Sequence, residues 1–277
     1  MNKRIKDAFD SAREFGEPGF IPFITAGDPD PDTTLALIFE LAELGSTVIE
    51  LGVPFTDPMA DGPVIQRSSQ RALENGEMGI PRIIEVVAEA RKKTEVPIVL
   101  FGYLNPFLAF GIERLCREAS EAGVDGFLIT DLIEDEFSAM SRTMASADLD
   151  LISLVAPTTT DERLARIAEG ARGFIYAVSR TGVTGEGAEI RDSARDLVRR
   201  VRSVTDLPVA VGFGISTREQ LNDVLEYADA AVVGSAIVSV IEDCGADEEA
   251  VPAVRNFVLG LIGKPDAVPA SGRRIAH

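Results

Sequence analysis

Eight short apolar runs alternate with helical patterns across 277 residues, which predicts an α/β chain closed into a (β/α)8 barrel, the TIM-barrel class, with an extra helix at the N-terminus. Three observations carry this expectation. The runs are continuously apolar, as parallel strands buried on both faces must be. Each gap between runs is long enough for one crossover helix. The length sits near the roughly 250 residues typical of one such barrel. Periodicity does not show closure, so a doubly wound open sheet stands as the alternative.

In chain order, the opening MNKRIKDAFDSAREF places Ile5, Phe9 and Ala12 on one helical face, fit to cover an end of the barrel. Strands are expected at 19–25, 47–51, 97–101, 126–130, 151–155, 173–179, 208–214 and 230–234. Between the first two, residues 32–44 put Leu35, Ile38, Phe39 and Ala42 on one face and stop at Gly45. Residues 81–93 repeat the pattern with Ile84, Val87 and Ala88. Helices at 161–169, 193–203 and 217–227 are expected to open on Asp161, Ser193 and Thr217 as N-caps, with Gln220 completing a capping box. One catalytic domain is expected over 1–263. The tail 264–277 (KPDAVPASGRRIAH) is expected to be disordered.

Composition removes several chemistries. The only histidine is His277, the last residue, so histidine-based triads, general bases and zinc sites are set aside. Two cysteines, Cys116 and Cys244, support neither a disulfide framework nor a metal cluster. No metal is expected. The net charge of −18 argues against nucleic acid and anionic membranes, which need a basic stripe. No apolar run suits a membrane span or a secretory signal, so a cytoplasmic enzyme is expected. Such acidity also suggests adaptation to high salt, where screening removes self-repulsion.

A (β/α)8 barrel carries its site at the C-terminal strand ends. There Glu50 interrupts the apolar run TVIEL; burial would raise its pKa and suit it to proton transfer. Asp61 follows on a Gly/Pro-rich loop and could present a second carboxylate to the same mouth. Gly212-Phe213-Gly214 after strand 7 and Gly234-Ser235 after strand 8 each open toward a helix. Paired turns of this kind at consecutive strand ends suit phosphate, because backbone amides and a helix N-terminus bind anions without a cationic side chain. The run from Ser179 to Gly187 reads as a lid-like loop. Tyr103 lies just past strand 3 and Tyr176 within strand 6; a hydroxyl near the mouth can orient a substrate or a carboxylate, and a core tyrosine is the other reading.

With these motifs in view, the chain resembles the tryptophan synthase α subunit over about residues 3–262. The resemblance rests on FIPFITAGDPD (20–30), IELGVPFTDPMADGPVIQ (49–66), SRTGVTG (179–185), GFGIS (212–216) and GSAIV (234–238). It implies retro-aldol cleavage of indole-3-glycerol phosphate to indole and glyceraldehyde 3-phosphate. It assigns Glu50 as acid–base, Asp61 to the indole N–H, Phe23 to the indole pocket, and Tyr103 and Tyr176 to the active site. It places Thr184 on the lid, where it positions Asp61, and Gly185, Gly214, Gly234 and Ser235 around the substrate phosphate, with Phe213 also among the substrate-binding residues. Pro54, Asp57 and Asp131 fall near the interface with a β subunit, in an expected α2β2 heterotetramer. No cofactor is implied for this chain; pyridoxal phosphate belongs to the β subunit. Two departures stand out. Phe174 replaces a tyrosine, bearing on pocket polarity, and residues 131–134 lack a familiar proline after Asp131. A stand-alone indole-3-glycerol phosphate lyase shares these residues and is the main alternative. Another sugar-phosphate barrel enzyme and a silent regulatory subunit fit the long motif less well.

Overall fold

The computed structural model describes residues 2–17, 19–74, 76, 78–178, 187–212, 214–245 and 249–263. Eight parallel strands pair in chain order and close, β8 on β1. They are β1 (Gly19–Thr25), β2 (Ile49–Gly52), β3 (Ile98–Gly102), β4 (Gly126–Ile129), β5 (Asp150–Val155), β6 (Ile175–Val178), β7 (Val209–Gly212) and β8 (Ala230–Val233). Closure discards the open-sheet alternative.

The helices follow as α1 (Lys3–Phe15), α2 (Pro31–Glu43), α3 (Pro63–Glu74), α4 (Ile80–Ala90), α5 (Leu104–Phe110), α6 (Ile112–Ala122), α7 (Glu134–Ser146), α8 (Asp161–Gly170), α9 (Gly187–Arg202), α10 (Arg218–Leu225), α11 (Ser235–Cys244) and α12 (Ala250–Ile262). Strand alternation divides the apolar residues in two. One set, including Ile21, Val48, Val99, Leu128, Ile152 and Phe174, fills the barrel. The other, including Ile24, Leu51, Leu100 and Val211, packs outward against the helices.

Helix α1 seals the N-terminal end of the barrel. Its Ile5 and Phe9 are buried in the interior cluster, while Ala12 stays partly exposed. The Asn2 side chain caps it by accepting from Arg4 N, and the Asn2 N–H donates to buried Asp150 at 2.6 Å. Phe174 belongs to this plug: its ring lies 5.5 Å from that of Phe9 and is fully buried. The expectation that Phe174 tunes the substrate pocket is therefore corrected, because it faces the opposite end from the mouth.

Other expectations shift by a turn or less. In α2 the buried face is Thr34, Leu37, Ile38 and Leu41; Leu35, Phe39 and Ala42 are only partly covered. Helix α8 is capped by Thr160, which accepts from Arg163 N, and Asp161 sits instead in the first turn, where its charge suits the helix dipole. Ser193 lies inside α9 rather than at its start. Thr217 and Gln220 form the expected capping box. The tail 264–277 lies outside the described residues. Among the described residues no helix is long and apolar enough to cross a membrane, and no cluster of metal-ligand side chains occurs.

Candidate active site

Glu50 projects into the barrel from β2, paired in register with Phe23 of β1 and Val99 of β3. Only 1% of it is exposed, and its Oε1 has no hydrogen-bond partner among the described residues. A carboxylate in such a place is costly, so burial pushes its pKa up to about 8. A carboxyl so placed is suited to exchange a proton near neutrality.

Asp61 stands between β2 and α3. Burial raises its pKa to about 6, against the opposing effect of a hydrogen bond from the Tyr103 hydroxyl. That hydroxyl, at the end of β3, also accepts the Ala60 N–H at 2.9 Å, and burial raises its own pKa. Gln66, one turn into α3, donates to the Asp61 carbonyl at 2.9 Å. The loop bearing Asp61 is thus held at two points, and the carboxyl is aimed by a tyrosine. Tyr176 is buried; burial raises its pKa most, followed by the charges of Glu50 and then Asp61. The structure therefore brings Glu50, Asp61, Tyr103 and Tyr176 together at one end of the barrel.

Beside them lies a narrow slot between Phe23, Val53, Ile65 and Phe101, with Thr25, Asp61 and Tyr103 as its polar edges. The rings of Phe23 and Phe101 meet edge to face at 5.3 Å. Its free volume is about 10 Å³, room for about one water, so an aromatic ligand must part its walls. Two glycines make this packing possible. A Cβ on Gly52 would stand 2.5 Å from the Phe23 ring, and one on Gly212 would stand 2.2 Å from the Tyr176 hydroxyl. Phe101 and Gly52 were not singled out from the sequence, and Gly212 was read only as part of a phosphate turn.

The turns expected to meet an anion lie at the ends of β7 and β8. Gly214 has φ +78°, a conformation that glycine adopts freely. Gly234 is the N-cap of α11 and makes no side-chain cap; exposed Ser235 opens the helix. The first N–H groups of α11 thus have no intrahelical acceptor. A Cβ on Gly234 would lie 3.4 Å from Phe23 Cβ, so this helix end adjoins the aromatic slot. Thr184, Gly185 and Phe213 lie outside the described residues, as does the loop 179–186.

On the outside of the mouth, Met59, Leu108 and Ile133 are exposed large apolar side chains. Asp57 and Asp131 are exposed among them, whereas Pro54 is buried. Asp131 accepts from Leu104 N at 2.7 Å, bracing the start of α5.

A buried carboxyl and a tyrosine-held aspartate beside an aromatic-lined slot, with a helix N-terminus adjacent, suit a barrel lyase that handles a phosphorylated aromatic compound. Relatives make the class particular. The family model described as "Tryptophan synthase alpha chain" matches residues 9–259. A tryptophan synthase alpha chain of Geobacter sp. (strain M21) is 49% identical over 239 residues, 86% of this chain and 89% of the relative. That of Acidiphilium cryptum is 43% identical over 99% of both chains. Among solved structures, tryptophan synthase subunit alpha from Legionella pneumophila str. Paris has a TM-score of 0.86 at 35% identity, covering 95% of this chain and 98% of that one. A Pyrococcus furiosus chain, from a study of mutual activation of the tryptophan synthase α2β2 complex, has a TM-score of 0.82 at 40% identity, covering 88% and 98%. The chain belongs to the tryptophan synthase alpha-chain family. It is a lyase subunit that cleaves indole-3-glycerol phosphate to indole, which is supplied to the β subunit.

Proposed function

We propose that Glu50 is the acid and base of this cleavage and that Asp61 stabilises the charge on the indole ring. The observation that carries the reading is a lone buried carboxyl, without a hydrogen-bond partner for Oε1 and with a pKa of about 8, beside an aromatic slot. Near neutrality Glu50 is protonated. It gives that proton to indole C3, forming an indolenine that can accept electrons. The resulting carboxylate then takes the proton of the glycerol hydroxyl next to the ring. The C–C bond breaks, its electrons return to the indole, and Glu50 ends protonated as it began. Asp61, with a pKa of about 6, is ionised for most of this range and accepts the indole N–H as positive charge develops there. Tyr103 aims it. Phe23 and Phe101 line the pocket of the ring; Gly214, Gly234 and Ser235 offer N–H groups to the phosphate, joined by Gly185, while Thr184 positions Asp61 and Phe213 contacts the substrate, these last three from segments outside the described residues. Every proton in this scheme is carried by a side chain of the chain itself, so we assign it no cofactor.

The patch of Met59, Leu108 and Ile133, with Asp57 and Asp131, is the surface we assign to the β subunit, in an α2β2 assembly whose β subunit carries pyridoxal phosphate. A cytoplasmic setting and a salt-adapted surface are the companion readings, the latter supported by the net charge of −18. The test is indole release from indole-3-glycerol phosphate by the purified chain, alone and with a β subunit. Slow release that rises strongly with the partner is expected, and Glu50→Gln abolishes it. Fast release indifferent to the partner would favour the stand-alone lyase. Release retained in Glu50→Gln would remove Glu50 from its role.

A further inference from the structure

We propose that Glu242 and Arg67 are positioning residues: together with Arg71 they form a strut between α3 and α11 that sets the span from Asp61 to the helix end at Ser235. The inference rests on the reading above, in which Asp61 meets the indole nitrogen and that helix end meets the phosphate.

Helix α3 begins at Pro63, just past Asp61, and its Gln66 donates to the Asp61 carbonyl at 2.9 Å. Where α3 lies therefore decides where Asp61 lies. Apolar packing fixes that place poorly, since the buried residues of α3 are Ser68, Ser69 and Ala72. Its docking is polar. Toward β1, the Ser68 and Thr25 hydroxyls meet at 2.7 Å. Arg71 donates from Nε and Nη2 to the two carboxylate oxygens of buried Asp28, both at 2.8 Å. Toward α11, Arg67 and Arg71 stand one turn apart on the same face of α3 and converge on Glu242. Arg67 donates from Nε to Oε1 and from Nη2 to Oε2, each at 2.7 Å. Arg71 Nη1 adds a third bond to Oε1 at 2.7 Å.

A lone surface ion pair contributes little to stability, and a fork-to-fork pair within a network holds geometry better. Here one guanidinium grips Glu242 with two parallel bonds, and the second is anchored at its other edge by buried Asp28. The Arg67 hydrogen bond, with the nearby charge of Arg71, draws the Glu242 pKa down to about 2. Its carboxylate is thus charged wherever Glu50 and Asp61 work.

Glu242 stands about two turns along α11 from Ser235. The helix is stiff over that length, so an arm gripped at Glu242 is gripped at its N-terminus too. The substrate spans the strut: its ring nitrogen lies at Asp61, its phosphate at α11, and the scissile bond between them. Binding energy from the remote phosphate helps the reacting bond only when both ends are held at the right separation. The strut makes the phosphate count in the transition state.

The experiment compares indole release from indole-3-glycerol phosphate and from unphosphorylated indole-3-glycerol by the full chain and two variants. The quantity read is the ratio of the two kcat/KM values. The parent should strongly prefer the phosphorylated substrate. Glu242→Gln should cut that preference about tenfold, and Arg67→Gln should cut it in the same direction. The double variant should lose little more than Glu242→Gln alone, because both residues serve one strut. A residue that only stabilises the barrel lowers both rates by the same folded fraction and leaves the ratio unmoved. An unchanged ratio in both variants would therefore overturn the proposal while leaving the phosphate reading intact. Losses that multiply in the double variant would overturn it too, because the two residues would then act apart. A parent indifferent to the phosphate would withdraw the phosphate from α11, and the proposal with it. If Glu242→Gln does not fold, Arg67→Gln decides, since Arg67 is exposed.

Discussion

Replacing Glu50 by Gln should make the protein more stable while destroying its activity, and the gain should depend on pH in a calculable way. Unfolded, Glu50 ionises at its ordinary value of 4.5; folded, it holds its proton to about 8. Between those values the folded state binds the extra proton. Stability therefore falls as pH rises through that window, by about 1.4 kcal/mol per pH unit. The cost is about 3 kcal/mol at neutrality and reaches an upper limit of about 5 kcal/mol above pH 8. Glutamine is neutral at every pH and close in shape, so it escapes this cost. Urea unfolding of both proteins at a series of pH values reads the effect directly. The two should nearly coincide below about pH 4.5, diverge steadily, and run parallel above about pH 8. Near neutrality the gain corresponds to a rise in Tm of about 6–12 °C for a chain of this size. A difference that stays constant from about pH 5 to pH 8 would refute the reasoning, for it would mean that folding leaves the Glu50 pKa unmoved.

The same two groups predict the rate profile. kcat/KM for indole release should rise as Asp61 ionises near pH 6 and fall as Glu50 loses its proton above about pH 8; a rate still climbing at higher pH would contradict the acid role of Glu50. Asp61→Asn removes the charge facing the indole nitrogen and should lower kcat by about 100-fold, measured at saturating substrate; a near-normal rate would show that the charge is dispensable. Gly212→Ala puts a methyl 2.2 Å from the Tyr176 hydroxyl and must displace it, so cleavage should fall even where circular dichroism shows the barrel intact. Thermal unfolding against salt should show stabilisation between dilute and molar salt, as expected for a surface of net charge −18; equal stability in both would sink the salt-adaptation reading.

The strands were legible because burial on both faces leaves an unbroken apolar signature, and Glu50 was legible as the one charge within such a run. Helix α3 gave little signal, because its buried residues are Ser68, Ser69 and Ala72, which carry no apolar stripe. Ser68 is there to meet Thr25 of β1 at 2.7 Å, a polar contact between distant segments that periodicity does not encode. Phe174 misled for a related reason. Its neighbour two positions on, Tyr176, does face the mouth, but the strand carries Phe174 to the far end against Phe9. Depth along a barrel strand follows from register, which only the closed sheet supplies. Gly52 carried no signal and Gly212 read as part of a turn, whereas their lack of a side chain is needed by rings that arrive from β1 and β6. Asp61 emerged more from resemblance than from physics. A loop aspartate looks ordinary until Tyr103 and burial give it a partner and a raised pKa.

Ile5, Phe9 and Phe174 make the barrel a tube stoppered at its base. A small apolar product released beside Glu50 has no passage along the barrel axis toward that base. Exchange is left to the opposite end, on whose outer side Met59, Leu108 and Ile133 stand exposed. A partner seated there would stand over the open end of the barrel.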